Sequence, residues 1–325
     1  MAASLRFLPA SLFAAVMGLA GLGLAWRGAS AVLPLPAPLK GPWIWVGEGW
    51  MALAAFAFAC LAPAYALKAL RHPQAVHEEF TNPALLGFCA TLPVGMTLLA
   101  GGLQPYSEPL AQALWWTGVA LLLALQLLML ARLARGGTTL AQVNGGWMIV
   151  LVGGIVVPGS GIALGHAELS RWLFGICALA APLVTGLVLY RMLFGPPMPD
   201  AAKPGWFIVL VPPALIYLNG AALSDAPAGA WLEALFLGGL ALAAALFVAS
   251  RGLRRWPFGA PWWAFTFPLD ALASAAGRYA RDHPEQPWPA LAAALLALAA
   301  AFVIWVLART LAALARGTLL ASAGK

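Results

Sequence analysis

Long apolar runs alternate with short polar ones along the whole chain. Ten apolar segments approach the roughly 20 residues that a helix needs to cross a bilayer. They lie at 8–26, 44–67, 83–103, 109–131, 147–166, 169–190, 205–224, 229–250, 259–277 and 288–308. The connections carry Pro, Gly or charge, and the longest are 27–43 and 68–82. None could hold a soluble domain, so residues 1–325 read as one all-α transmembrane domain. The first segment, with Arg6 before it and GASA (Gly28–Ala31) after it, has the outline of a secretory signal peptide. Its apolar run exceeds the roughly 7–15 residues of a signal core, which predicts a retained span.

Prolines divide the segments into two sets. Every odd-numbered segment carries one: Pro9, Pro93, Pro158, the pair Pro212 and Pro213, and Pro268. Among the even-numbered segments only the second (Pro63) and the sixth (Pro182) do. Proline removes a backbone donor and kinks a helix. In a membrane, irregular backbone is tolerated where it is buried in protein or lines a cavity. The alternation predicts five helix hairpins, each with a kinked inner member and a straighter member facing lipid. Gly18, Gly21 and Gly23 in the first segment and VGGIVVPGSG (Val152–Gly161) in the fifth fit close inner packing or an open passage equally well.

Composition agrees with a lipid solvent. The chain is 62% hydrophobic and 9% charged, where a soluble domain is about a quarter charged. The net charge is +7, and its distribution sets orientation. Thirteen Lys and Arg fall on the side of the N-terminus and five (Arg27, Lys40, Arg171, Arg278, Arg281) on the other. The positive-inside rule then places both termini in the cytoplasm, in agreement with an even number of spans, which requires both termini on one side. Tryptophans at segment ends, among them Trp43, Trp45, Trp147, Trp172, Trp231, Trp262 and Trp263, suggest an interfacial belt.

Chemistry is sparse. Cys60, Cys89 and Cys177 are far apart in apolar runs and read as packing residues. No phosphate-binding loop, nucleophile–base arrangement or cysteine metal motif is visible, so neither an enzyme nor a resident cofactor or metal is expected. Nothing points to nucleic acid. His72, His77, Glu78 and Glu79 on a connection are a weak metal pattern, and His166 with Glu168 reads as a hydrated loop pair. The basic cluster Arg251, Arg254 and Arg255 suits contact with anionic membrane lipid. The odd segments hold no Lys or Arg in their apolar cores. A passage among them would be nearly neutral, with Thr91, Thr97, Ser160, Asn219, Thr266, Ser274 and Asp270 as its polar groups. Such a wall suits weakly hydrated or small ions that pass quickly.

Five stretches in order resemble the tellurite-resistance/dicarboxylate transporter family, which includes bacterial tellurite-resistance protein A and the plant guard-cell slow anion channels. They are LPASLFAAVMGLAGLGLAW (Leu8–Trp26), EEFTNPALLGFCATLPVGMTLLA (Glu78–Ala100), GGWMIVLVGGIVVPGSG (Gly145–Gly161), PGWFIVLVPPALIYLNG (Pro204–Gly220) and WWAFTFPLDALASA (Trp262–Ala275). The resemblance implies ten transmembrane helices as five hairpins in a quasi-fivefold ring, odd-numbered helices inner. It also implies a homotrimer with one pore per subunit, a bacterial inner-membrane location, and small inorganic or organic anions as cargo. A pore-plugging phenylalanine of the ninth helix maps to Phe267, with Phe265 as the alternative. Two positions depart from the family. Ala14 stands where glycine is frequent, and Asp270 where an uncharged residue is expected.

An ionisable group at mid-membrane is costly. Asp270 lies three residues after Phe267, on one helical face with it. Three roles are open. Asp270 could satisfy free donors of a half-helix begun at Pro268, take up a proton and link anion passage to pH, or pair with a basic group. The sequence therefore predicts an anion channel gated by Phe267. A proton-coupled carrier for tellurite, sulfite or C4-dicarboxylates is the alternative.

Overall fold

The computed structural model describes residues 5–30, 32–33, 37–224 and 229–320, with the side chains of 37–40 outside the description. Ala31 of GASA, the Lys40 side chain and Lys325 thus lie outside the described residues.

Among the described residues all regular structure is helical. Ten segments follow the ten apolar runs. They are α1 (Ala10–Ala29), α2 (Ala37–Arg71), α3 (Pro83–Leu103), α4 (Glu108–Ala134), α5 (Gly145–Gly161), α6 (Ala167–Phe194), α7 (Asp200–Leu223), α8 (Ala230–Ala249), α9 (Thr266–Asp282) and α10 (Trp288–Ala315). Eight are long and apolar enough to cross a membrane. The other two, α5 and α9, are shorter. A 3-10 stretch, Gly153–Val156, interrupts α5, and another, Ala260–Phe265, replaces the first turns expected of α9. The expected loop 68–82 is mostly helical too: α2 runs to Arg71, and Pro73–Thr81 forms a helix with proline at its start.

Packing separates the two sets of segments. Helix α1 packs on α3, α3 on α5, α5 on α7, α7 on α9, and α9 back on α1. Each even-numbered helix packs on the odd-numbered one before it. In the most apolar window, 72% of α1 and of α3 and 61% of α7 is buried, against 11–33% for the even-numbered helices. The even-numbered set therefore carries the exposed apolar surface, including Leu127, Leu179, Leu183 and Leu193, as a lipid-facing layer must.

The odd-numbered segments share one construction. Each is broken once: 3-10 backbone precedes the α-helix in α1, in α7 and ahead of α9, while α3 and α5 open as short α-helices, Pro83–Cys89 and Gly145–Val152, that stop and start again. The restarts are at Ala14 in α1, Thr91 in α3, Pro158 in α5, Val211 in α7 and Thr266 in α9. Pro93, Pro158, Pro212, Pro213 and Pro268 all fall within the first three residues of a restart. There the missing N–H costs nothing, because the first backbone donors of a helix have no intrahelical partner. By contrast Pro63 and Pro182 sit inside continuous helices.

Freed carbonyls at the breaks are satisfied by side chains. The single Thr91 hydroxyl proton is shared between Phe88 O at 2.7 Å and Ala10 O at 2.9 Å. Thr266 donates to Trp263 O at 2.8 Å, and Asn219 Nδ2 to Ile155 O at 2.7 Å. Ser, Thr and Asn serve this purpose in membrane interiors, where no water substitutes.

Polar clusters tie both ends of α1. At its start the buried Lys68 donates to Leu8 O and to Glu79 Oε1, both at 2.8 Å, and Tyr65 donates to Glu79 Oε2 at 2.6 Å. At its end Arg27 forks onto Glu48 and also donates to Gly102 O at 3.0 Å. Tyr106 adds a 2.6 Å bond to Glu48, and this bond holds the phenol above its usual pKa.

The tryptophans divide. Trp45, Trp172 and Trp231 are exposed, as a belt requires. Trp147, Trp262 and Trp263 are buried instead. Trp262 Nε1 donates to Pro257 O and Trp263 Nε1 to Thr310 Oγ1. Both pack the 3-10 stretch ahead of α9 onto α10, where Trp262 meets the Trp305 ring.

Candidate functional site

Two cavities lie among the odd-numbered segments. The near one, of about 50 Å³, opens between the first halves of the helices. Ser11, Ala14, Thr91, Val152, Val156, Pro212, Phe267 and Pro268 are among its lining residues. The far one, of about 370 Å³, opens between the second halves. Gly21, Leu98, Val156, Asn219, Phe267, Asp270, Ser274, Arg278 and Arg281 are among its lining residues. Among the described lining residues, Phe267 and Val156 border both.

The two phenylalanines of WWAFTFP point in different directions. Phe265 is fully buried in an aromatic cluster, its ring 4.4 Å from Phe207 and 5.5 Å from Trp262 between centroids. Phe267, two residues on, turns to the cavities. The sequence could not choose between them by hydrophobicity. The restart of α9 between them decides, because it fixes which side chain faces inward.

Phe267, Asp270, Ser274, Arg278 and Arg281 follow one another by three or four residues and so share one face of α9. All five line the far cavity. Arg278 also bonds Asp282 at 2.7 Å, one turn on. Gly21 of α1 faces the start of this row. A Cβ there would stand 3.0 Å from both Asp270 Oδ2 and the Phe267 ring. Gly18 likewise lies against Thr266, and a Cβ at Gly18 would overlap the Thr266 hydroxyl. The small residues of α1 thus serve close approach to α9.

Asp270 is 1% exposed, and neither carboxylate oxygen has a hydrogen-bond partner among the described residues. This corrects the capping role. Helix α9 starts at Thr266, so Asp270 stands in its fifth position, beyond the free donors of the first turn. Pairing with a basic group is corrected as well, since no ion pair reaches Asp270 among the described residues.

The other expected lining residues part company. Ala14 and Thr91 border the near cavity, and Asn219 and Ser274 the far one. Ser160 and Thr266 line neither: Ser160 packs beside Gly101, and Thr266 beside Gly18. Of the prolines, Pro212 and Pro268 face the near cavity. Pro93 turns to an apolar groove with Phe13, Tyr65 and Leu125, and Pro213 packs toward Gly239 of α8. Pro158 is buried and borders neither cavity. His166 is not part of a loop pair with Glu168. Its ring stacks on Trp115 at 4.6 Å between centroids, and Nε2 lies 2.7 Å from Gln112 Oε1. On the lead-in helix, Glu79 is engaged by Lys68 and Tyr65.

The chain belongs to the SLAC1 family of voltage-dependent anion channels, whose model matches residues 8–311. It is 24% identical over 310 residues, 93% of its length, to the S-type anion channel SLAH3 of Arabidopsis thaliana. It is 28% identical over 223 residues, 67% of its length, to the S-type anion channel SLAH2 of the same plant. These matches cover 48% and 42% of the plant proteins, so the chain spans about half the length of the curated relatives it matches. With eight long apolar helices in one chain, the protein is a multi-pass membrane protein.

Proposed function

We propose that this protein passes small anions along the axis enclosed by α1, α3, α5, α7 and α9, with the Phe267 side chain as the gate. The observation that carries the reading is that Phe267 borders a cavity on each side of itself. Val156, a shorter side chain, is the other residue that borders both spaces. Family membership supplies the ion class. Selectivity follows from three features: a wall without Lys or Arg at the constriction, Arg278 and Arg281 toward the far mouth, and the ease with which an anion sheds water. On this reading the five hairpins form a quasi-fivefold ring of ten crossing segments in a single transmembrane domain. The protein assembles as a homotrimer in a bacterial inner membrane with both termini cytoplasmic, and passage is passive.

Planar-bilayer recordings with chloride, nitrate and malate test this reading. We expect anion-selective current from the wild type, larger in Phe267→Ala. Equal currents in the two, at matched protein incorporation, would remove the gate. Asp270 favours a second reading, a proton-coupled carrier for tellurite, sulfite or C4-dicarboxylates. Unitary current steps support the channel. Saturating flux that needs a proton gradient supports the carrier.

A further inference from the structure

We infer that Asp270 is a proton-binding site inside the anion path, and that its proton decides whether an anion can stand beside Phe267. The inference rests on the pore reading above.

Three observations carry it. First, the carboxyl is almost wholly covered, and both oxygens lack a partner among the described residues. A buried carboxylate normally accepts several hydrogen bonds or pairs with a cation, because unpaired burial of a full charge is very costly. Second, the same side chain borders the far cavity next to the dividing phenylalanine. It therefore belongs to the wall of the route itself, with its oxygens covered beside Gly21 of α1. Third, the mouth and the floor of that cavity conflict. Arg278 and Arg281 line the mouth and favour anions, while an ionised Asp270 at the floor would repel them. The conflict disappears when the carboxyl holds a proton. Its O–H is then a donor, and an anion beyond the mouth is the acceptor that it lacks in the protein.

The surrounding charges do not offer another explanation. From α1 the group facing Asp270 is Gly21. The charged residue of α1 is Arg27, held by Glu48 at the far end. Helix α7 offers Tyr217 along its restart, with Asp200 and Lys203 paired to each other at its start. Helix α8 offers Glu233, which lies 3.6 Å from His283. Helix α10 offers Arg309, stacked over Phe258 and Trp262. On α9 itself Tyr279 stacks on His283 and Phe236, and Arg278 and Arg281 lie toward Asp282.

The mechanism is a titration without covalent change. One proton from the far cavity adds to Asp270, the anion advances past Phe267, and the proton either stays or leaves with it. The test is anion current in bilayers as far-side pH is lowered from about 8 to about 5. Wild-type current should rise, by at most about tenfold per pH unit above the midpoint, since occupancy by a single proton changes no faster. Asp270→Asn keeps a donor but cannot ionise, so its current should be high and flat with pH. Asp270→Glu should keep the dependence. An Asn variant whose pH profile superimposes on the wild type overturns the inference while leaving the Phe267 gate standing. If neither wild type nor Phe267→Ala passes any anion, the pore reading fails and this one falls with it. Infrared difference spectra give an independent readout. An un-ionised carboxyl band that changes over the same pH range should be present in wild type and absent in Asp270→Asn. No such band at any pH would also overturn the inference.

Discussion

The two cavities that meet at Phe267 are built from the same five helices, yet they differ in almost every other respect. The near one is small and enclosed by the broken first halves, and its polar residues are Ser11 and Thr91. Thr91 is already committed to two backbone carbonyls. The far one is several times larger, is walled mostly by the restarted helices, and carries Asp270, Ser274 and two arginines besides Asn219, which is committed to Ile155 O. Broken backbone spends its polar side chains on its own carbonyls. Regular helix satisfies its own backbone and leaves side chains free to meet a solute. The division of labour follows: the near half fixes shape, and the far half supplies chemistry.

Experiments can break that contrast or sharpen it. The largest effect is expected from Phe267→Ala, which joins the two spaces. Each ~1.4 kcal/mol removed from the barrier multiplies passage by ten, so unitary conductance should grow about tenfold or more. A change below twofold would mean that the cavities are not separated by this side chain. Gly18→Val comes next. Its added methyls collide with Thr266 on α9, and overpacking of this kind costs about 1–3 kcal/mol. The melting temperature in detergent should fall, while the pH profile of any remaining current stays unchanged. Replacing both Arg278 and Arg281 by Gln should lower current entering from the far side by about two- to threefold at low salt. The loss should vanish near 1 M salt, where the Debye length is about 3 Å. The same loss at every ionic strength would mean that the arginines are structural. The smallest effect belongs to Thr91→Val. It should cost about 1–2 kcal/mol of stability for the lost hydroxyl bonds and leave ion selectivity alone. A selectivity shift would place chemistry in the near half after all.

Much of the architecture was readable from the amino acids. Apolar runs located all ten segments, because the bilayer demands an apolar stretch whatever lies next to it, but they missed the start of α2, the start of α9 and the end of α10 by seven residues each. The proline alternation separated buried from lipid-facing segments, since only buried backbone tolerates a restart. Side-chain direction was not readable. In a soluble helix the polar face marks the outside, but here both faces are apolar. Thr266 and Ser160 therefore looked like pore lining when they pack against Gly18 and Gly101. Pro73–Thr81 was read as loop because its composition is polar, although proline after His72 was a usable start signal. Asp270 misled in a third way. The capping rule depends on where a helix begins, and a start at Thr266, two residues before the proline, put the carboxyl out of reach.

The clamps on α1 bear on how the gate could move. Lys68 and Glu79 grip one end of that helix, and Arg27, Glu48 and Gly102 grip the other. The wall that Gly21 presents to Phe267 is thus held against sliding along its axis. Opening that leaves both α1 and α9 in place comes from rotation of the phenylalanine side chain about its own bonds. Side-chain rotation is faster than helix displacement, which takes microseconds to milliseconds. In a recording, such a gate would show as excess noise on the open level. Resolved dwell times in the millisecond range, lost when Lys68 or Arg27 is replaced, would instead identify the whole helix as the moving part.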